Sequence, residues 1–166
     1  LYGGGSIQRS GLYDIVTRSL KESHIEFVAL GGVRPNPTAS FVREASKIVR
    51  EKEIDFLLAV GGGSVIDTAK SIGVGAYYEG DSFDFNLKKA VPEKTMPVGV
   101  VLTIASAGSE SSNSCVIQDD ETGIKQGFNS DLIRPVFAIE NPKWALTVPP
   151  YQVFAGASDI MMHSLE

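Results

Sequence analysis

A chain of 166 residues, 43% hydrophobic and 21% charged, has the make-up of one globular domain with room for a sizeable core. Its net charge of −5 argues against a nucleic-acid surface as the main partner, and a single cysteine, Cys115, excludes an internal disulfide framework. No apolar run approaches the roughly 18 residues of a membrane span, and residues 1–6 carry no signal-peptide pattern, so a cytoplasmic protein without membrane or nucleic-acid partners is expected.

In chain order, residues 8–21 place Leu12, Ile15, Val16, Ser19 and Leu20 at helical spacing, and residues 25–30 read as a strand ending in Gly31-Gly32. Asn36-Pro37 offers an N-cap followed by proline at the first helical position, with Phe41, Ala45, Ile48 and Val49 on one face of the helix. Residues 55–60 form a short apolar strand. It runs into Gly61-Gly62-Gly63-Ser64 and a helix with Ala69, Ile72, Gly73 and Ala76 on one side. Residues 81–94 read as loop with a short helix, and 97–102 as a strand. Residues 114–118 and 124–128, joined by Asp119-Asp120-Glu121-Thr122-Gly123, read as a β-hairpin. A strand over 135–139 and a helix starting at Pro149-Pro150 complete the chain.

Strands alternating with helices imply an α/β, Rossmann-like fold: βαβ units and a mostly parallel, covered sheet with ligands beyond the carboxyl ends of its strands. The segment from Gly61 to Lys70 is the chain's most informative stretch. Residues without Cβ let a phosphate approach the backbone, and the helix start offers unpaired N–H groups at the positive end of its dipole. Ser64 is the expected N-cap, with Asp67 as an acidic variant of a capping box. Glycines also end strands in proteins that bind no ligand, so the motif alone is only moderately specific. At the other end, Asp159 and His163 lie four residues apart on one helix face. Cys115 is expected as a small core residue and His24 as an exposed turn residue.

Four segments occurring in order carry a resemblance: Gly31-Gly32-Val33-Arg34-Pro35-Asn36-Pro37, residues 61–70, Leu102-Thr103 with Gly108-Ser109-Glu110, and Gly156 through Asp159 to His163. Together they resemble the iron-containing (group III) alcohol dehydrogenases, especially the NADPH-dependent butanol dehydrogenase and aldehyde-reducing branch, over essentially the whole chain. The resemblance implies a dehydroquinate synthase-like N-terminal domain over residues 1–148. Residues 149–166 would then begin an all-helical, metal-binding C-terminal domain. It implies hydride transfer between NAD(P)(H) and a primary alcohol or aldehyde such as butanol or butanal, and a homodimer for the intact protein.

By the same resemblance Gly61, Gly62, Gly63 and Ser64 hold the cofactor pyrophosphate. Asp67 holds the loop or approaches the nicotinamide ribose, Thr103 lies near adenine or ribose, and Lys125 lies near the nicotinamide ribose. Where the family commonly has threonine this chain has Ala107, and Ser106 next to it offers a substitute hydroxyl. Asp159 and His163 would be two ligands of a divalent ion, Fe²⁺ or Zn²⁺, completed by histidines beyond Glu166; no residue is assigned as catalytic. Gly31-Gly32 stands where NAD-binding folds carry an acidic residue, and Arg34 follows, so NADP(H) is expected over NAD(H).

Residues 1–6 read as a strand end and turn, and residues 158–166 as a helix without a cap. The expectation is therefore a piece of a longer protein, missing its first strand, poorly folded alone and without metal or turnover. Other enzymes of this fold (a glycerol dehydrogenase, maleylacetate reductase or dehydroquinate synthase) and a non-catalytic nucleotide-binding module are the alternatives. Arg34-Pro35-Asn36-Pro37 and the Asp159–His163 spacing favour the alcohol dehydrogenase branch.

Overall fold

The computed structural model describes residues 1–165; Glu166, the last residue of the expected C-terminal segment, lies outside them. The elements in chain order are α1 (Ser6–Arg9), α2 (Leu12–Glu22), α3 (Ala39–Glu51), β1 (Leu57–Gly61), α4 (Gly63–Gly75), α5 (Phe83–Asn86), β2 (Val98–Leu102), β3 (Ser114–Gln118), β4 (Lys125–Asn129), β5 (Phe137–Ile139), α6 (Pro142–Ala145) and α7 (Pro150–Leu165). A 3₁₀ turn over Asp131–Ile133 precedes β5.

The sheet is parallel, ordered β1-β2-β5, with Gly61 of β1 opposite Leu102 of β2. β1 and β2 read Leu-Leu-Ala-Val-Gly and Val-Gly-Val-Val-Leu with almost every position buried, the signature of strands covered on both faces. On the far side of β1 the chain start continues the sheet. Leu1 donates to Leu58 O at 2.8 Å, Val60 N–H to Leu1 O at 2.9 Å, and Tyr2 N–H to Leu30 O at 3.0 Å. α4 packs against β1, β2, α3 and β3, so it is buried nearly all round, from Val65 and Ile66 to Ile72 and Val74. The hairpin of β3 and β4 is antiparallel and docks where Gln118 N–H meets Pro37 O at 2.9 Å.

Three expectations are corrected by tertiary context. The single helix over residues 8–21 is two, α1 and α2, because Gly11 takes the left-handed conformation (φ +78°) between them. Residues 25–30 form no regular strand. Leu30 O accepts from Tyr2 N–H while Ile25 N–H turns back to Leu20 O, and Ile25 and Val28 are about half exposed, because an extended segment needs a neighbour along its whole length to become a strand. The N-cap of α3 is Thr38, whose hydroxyl accepts from Phe41 N–H, not Asn36, which sits at φ +58° in the preceding turn. Pro37 therefore lies before the helix. Asp120, at the hairpin tip, completes that helix start by accepting from Ser40 N–H at 3.1 Å and Ser40 Oγ at 2.6 Å.

The remaining strands and the hairpin fall within one or two residues of the expected positions, and Cys115 is fully buried. Among the described residues no helix is long and apolar enough to cross a membrane.

Candidate functional site

The turn after β1 is built in two layers. A Cβ on Gly61 would sit 2.5 Å from Val65 Cγ2, and one on Gly62 would sit 2.5 Å from Ile104 Cγ2, so these two glycines are demanded by packing. A Cβ on Gly63 would meet nothing within 4 Å. Gly62, not Ser64, is the N-cap, and no side chain caps α4. Val65 and Ile66 N–H both turn back to Gly62 O, at 3.0 and 3.2 Å. The N–H groups of Gly63 and Ser64, which have no intrahelical acceptor, belong to the open layer, at the positive end of a helix of 13 residues. Compact, dry packing below and open, donor-rich backbone above make a cradle for an oxyanion group.

Asp67 is not part of a capping box. It turns toward the segment after β2, accepting from Ser109 Oγ at 2.6 Å and from Val116 N–H at 3.0 Å, one bond to each oxygen. Burial raises its pKa above the ordinary carboxylate value, and the Ser109 and Val116 hydrogen bonds and the Lys70 charge offset part of that rise. Of the two roles expected for Asp67, holding the loop is the one this geometry favours.

Lys70, one turn further along α4, was legible in the motif but not as a site residue. It is fully buried, and its ammonium lies within 2.7–3.3 Å of five oxygens: Ser109 O and Oγ, Ser112 O and Oγ, and Ser114 O. Burial lowers its pKa, and the Asp67 charge works against that. The sequence signal was a lysine on a largely apolar helix, between Ile66 and Ala69 on one side and Ile72 and Val74 on the other. Asp67 and Lys70 together fix the segment from Ser109 to Val116 against α4. Cys115 within it stays an inert thiol whose pKa burial pushes well above the usual value.

Thr103 follows β2, half-buried, its N–H donating to Gly61 O at 3.1 Å. Gly31 packs beneath the Tyr2 ring, which a Cβ would meet at 2.5 Å, while Gly32 adopts φ +97° facing open space. Exposed Arg34 lines a cleft with Gly32, Thr38, Glu44, Thr68 and Asp120. Thr68 ties that cleft to the glycine turn, donating to Ser64 O at 2.7 Å. Lys125 is exposed on β4 and donates to Asn36 Oδ1 at 2.7 Å.

On α7, Asp159 Oδ1 and His163 Nε2 lie 3.6 Å apart, as the i, i+4 spacing implies. One carboxylate oxygen and one imidazole nitrogen on a common face form a donor pair that suits a borderline divalent ion. Among the described residues no group of three or more His, Cys, Asp or Glu side chains gathers, so the pair could supply two ligands and no more. His24, the chain's other histidine, is exposed at φ +55° in a turn after α2.

Ser106 does not turn to the glycine cradle: its hydroxyl donates to Asp159 Oδ2. Gly156, one turn before Asp159, is the buried residue of α7, and a Cβ there would lie 3.1 Å from Ala105 O. Three consecutive residues thus join the two halves of the site: Ile104 abuts Gly62, Ala105 seats α7, and Ser106 holds Asp159.

The sequence profile of the family described as iron-containing alcohol dehydrogenase matches residues 1–142. Among curated proteins, the chain is 43% identical over 166 residues to NADH-dependent butanol dehydrogenase A of Clostridium acetobutylicum, covering 100% of this chain and 43% of that protein. It is 39% identical over 168 residues to the NADPH-dependent aldehyde reductase YqhD of Escherichia coli, covering 99% of this chain and 43% of that one. Among solved structures, NADH-dependent butanol dehydrogenase A of Thermotoga maritima superposes with a TM-score of 0.98 at 42% identity, over 99% of this chain and 42% of that one. The chain therefore spans less than half the length of the curated relatives it matches.

Proposed function

The chain belongs to the iron-containing alcohol dehydrogenase family, and from that premise we propose that it supplies the cofactor-binding part of a metal-dependent alcohol dehydrogenase or aldehyde reductase. Residues 1–148 are the dinucleotide-binding α/β domain, and the segment from residue 149 begins a helical metal-binding domain. The reaction is hydride transfer between NAD(P)(H) and a primary alcohol or aldehyde of the butanol/butanal class. The observation that carries this reading is the direct link from Gly62 through residues 104–106 to Asp159, which sets a phosphate cradle beside a metal half-site.

In this reading Gly63 and Ser64 N–H groups hold the cofactor diphosphate, with Gly61 and Gly62 keeping the turn tight. Asp67 and Lys70 hold the segment from Ser109 to Val116 as a fixed wall of the site, and Thr103 and Lys125 approach the adenosine and nicotinamide ends. Asp159 and His163 would hold a divalent ion, Fe²⁺ or Zn²⁺. The cofactor supplies the hydride and the bound ion supplies Lewis-acid polarisation of the alcohol or carbonyl oxygen. Gly156 and Ser106 set the distance between these two halves.

NADP(H) is the preferred cofactor in this account. Gly31-Gly32 leaves no carboxylate at the strand end to repel a 2′-phosphate, and the Arg34 guanidinium lines the adjoining cleft. Glu44 and Asp120 share that cleft, and the Asp120 carboxylate is engaged in capping α3 through Ser40.

Two linked assays on the full natural chain test the proposal. Butanal-dependent NADPH oxidation that a chelator abolishes and Fe²⁺ or Zn²⁺ restores is expected; no turnover of butanal, or turnover of glycerol alone, overturns it. Dissociation constants should be lower for NADPH than for NADH, and equal values or tighter NADH would overturn the cofactor preference alone.

A further inference from the structure

The geometry points to Ser106 as the positioning residue for Asp159: its hydroxyl fixes Oδ2, leaving Oδ1, the oxygen beside His163, as the one presented to a metal ion. This rests on the metal reading above. Three observations carry it. The Ser106 proton has a carboxylate oxygen as its acceptor, and Asp159 is half-buried, so a charge-assisted bond there is only partly screened. The two oxygens of Asp159 are differentiated, one facing the residue 103–110 loop and the other facing His163 at 3.6 Å. Gly156 lies one turn back on the same face of α7, where a Cβ would press on Ala105 O at 3.1 Å, so the helix is seated on the same loop at two successive turns.

A free carboxylate on an exposed helix turn rotates about two side-chain bonds, and a ligand set with a rotating member loses affinity through the entropy of fixing it. A hydroxyl that fixes the carboxylate removes that loss, the role that outer partners of metal ligands generally have. The donor here comes from the loop that also packs on Gly62. Ser106 therefore links the metal half-site to the glycine turn: the loop that packs on Gly62 is the one that aims Asp159.

The test is the metal affinity of the full natural chain, measured with Zn²⁺ by competition against a chromophoric chelator, for the wild type, Ser106→Ala and Ser106→Thr, with NADPH affinity of the metal-free protein read in parallel by fluorescence. Ser106→Ala should weaken Zn²⁺ binding by about 10–100-fold, with the NADPH dissociation constant at the wild-type value, and Ser106→Thr, which keeps the hydroxyl, should recover most of the loss. Zn²⁺ affinity unchanged in Ser106→Ala overturns the inference, as does a loss confined to NADPH, which would make Ser106 a cofactor contact. A wild-type protein that takes up no metal overturns the metal reading of the proposed function, and this inference with it.

Discussion

Replacing Gly63 by alanine should leave the protein folded and weaken NADPH binding by about 10–100-fold, the equivalent of one or two hydrogen bonds to a charged group. The added Cβ meets no protein atom within 4 Å, so it projects into the space where a diphosphate would have to approach the Gly63 and Ser64 N–H groups. Alanine is also the better helix former, so the melting temperature should be unchanged or slightly raised. Gly62→Ala is the counterpart. Its Cβ would lie 2.5 Å from Ile104 Cγ2, so that side chain must move, at a cost of about 1–3 kcal/mol in stability. A protein whose glycine turn is only a packing device would show the stability loss at Gly62 and no binding loss at Gly63. Melting curves and NADPH titrations of the two variants, compared with wild type, separate the cases.

Lys70→Met should be the most damaging substitution for the fold. The buried ammonium satisfies the carbonyls of Ser109, Ser112 and Ser114 together with two serine hydroxyls, and methionine fills much of the volume while donating nothing. Leaving buried acceptors unpaired costs roughly 1–3 kcal/mol each before water enters, so a net loss of about 3 kcal/mol is expected. For a chain of this size that lowers the melting temperature by roughly 6–12 °C. Because the freed segment lies on the loop that includes Thr103 and Ser106, cofactor affinity should fall as well. A melting temperature within experimental error of wild type would show that the ammonium is dispensable and that the segment from Ser109 to Val116 is held by other contacts.

The strand–glycine–helix unit at residues 57–75 was legible because the main local signals agree: continuous apolar strand, three glycines, then a helix without proline whose apolar face outweighs Gly73. The hairpin was legible for the same reason, with Gly123 at φ +75° closing its turn. What could not be read is what depends on a distant partner. Ser64 has the chemistry of a cap, yet Gly62 occupies the cap position because Val65 and Ile66 both bond its carbonyl. Residues 25–30 have strand composition, yet pairing depends on a neighbour that meets only Leu30.

Asp67 shows the same limit at the site. Its spacing from Ser64 suggested a local capping role, and its true partners, Ser109 and Val116, are 42 and 49 residues away. From the sequence Ser106 reads as a replacement hydroxyl for the cofactor, and only the docking of α7 shows that its acceptor is Asp159. The i, i+4 pair of Asp159 and His163 was readable because helix geometry alone places both on one face.

In the proposed complex the open layer of the turn at Gly63 and Ser64 holds the cofactor's diphosphate. A crystal structure of the full natural chain with NADPH should therefore place diphosphate oxygens within about 3 Å of the Gly63 and Ser64 amide nitrogens. Diphosphate bound elsewhere, with the α4 N-terminus left to solvent, would contradict it.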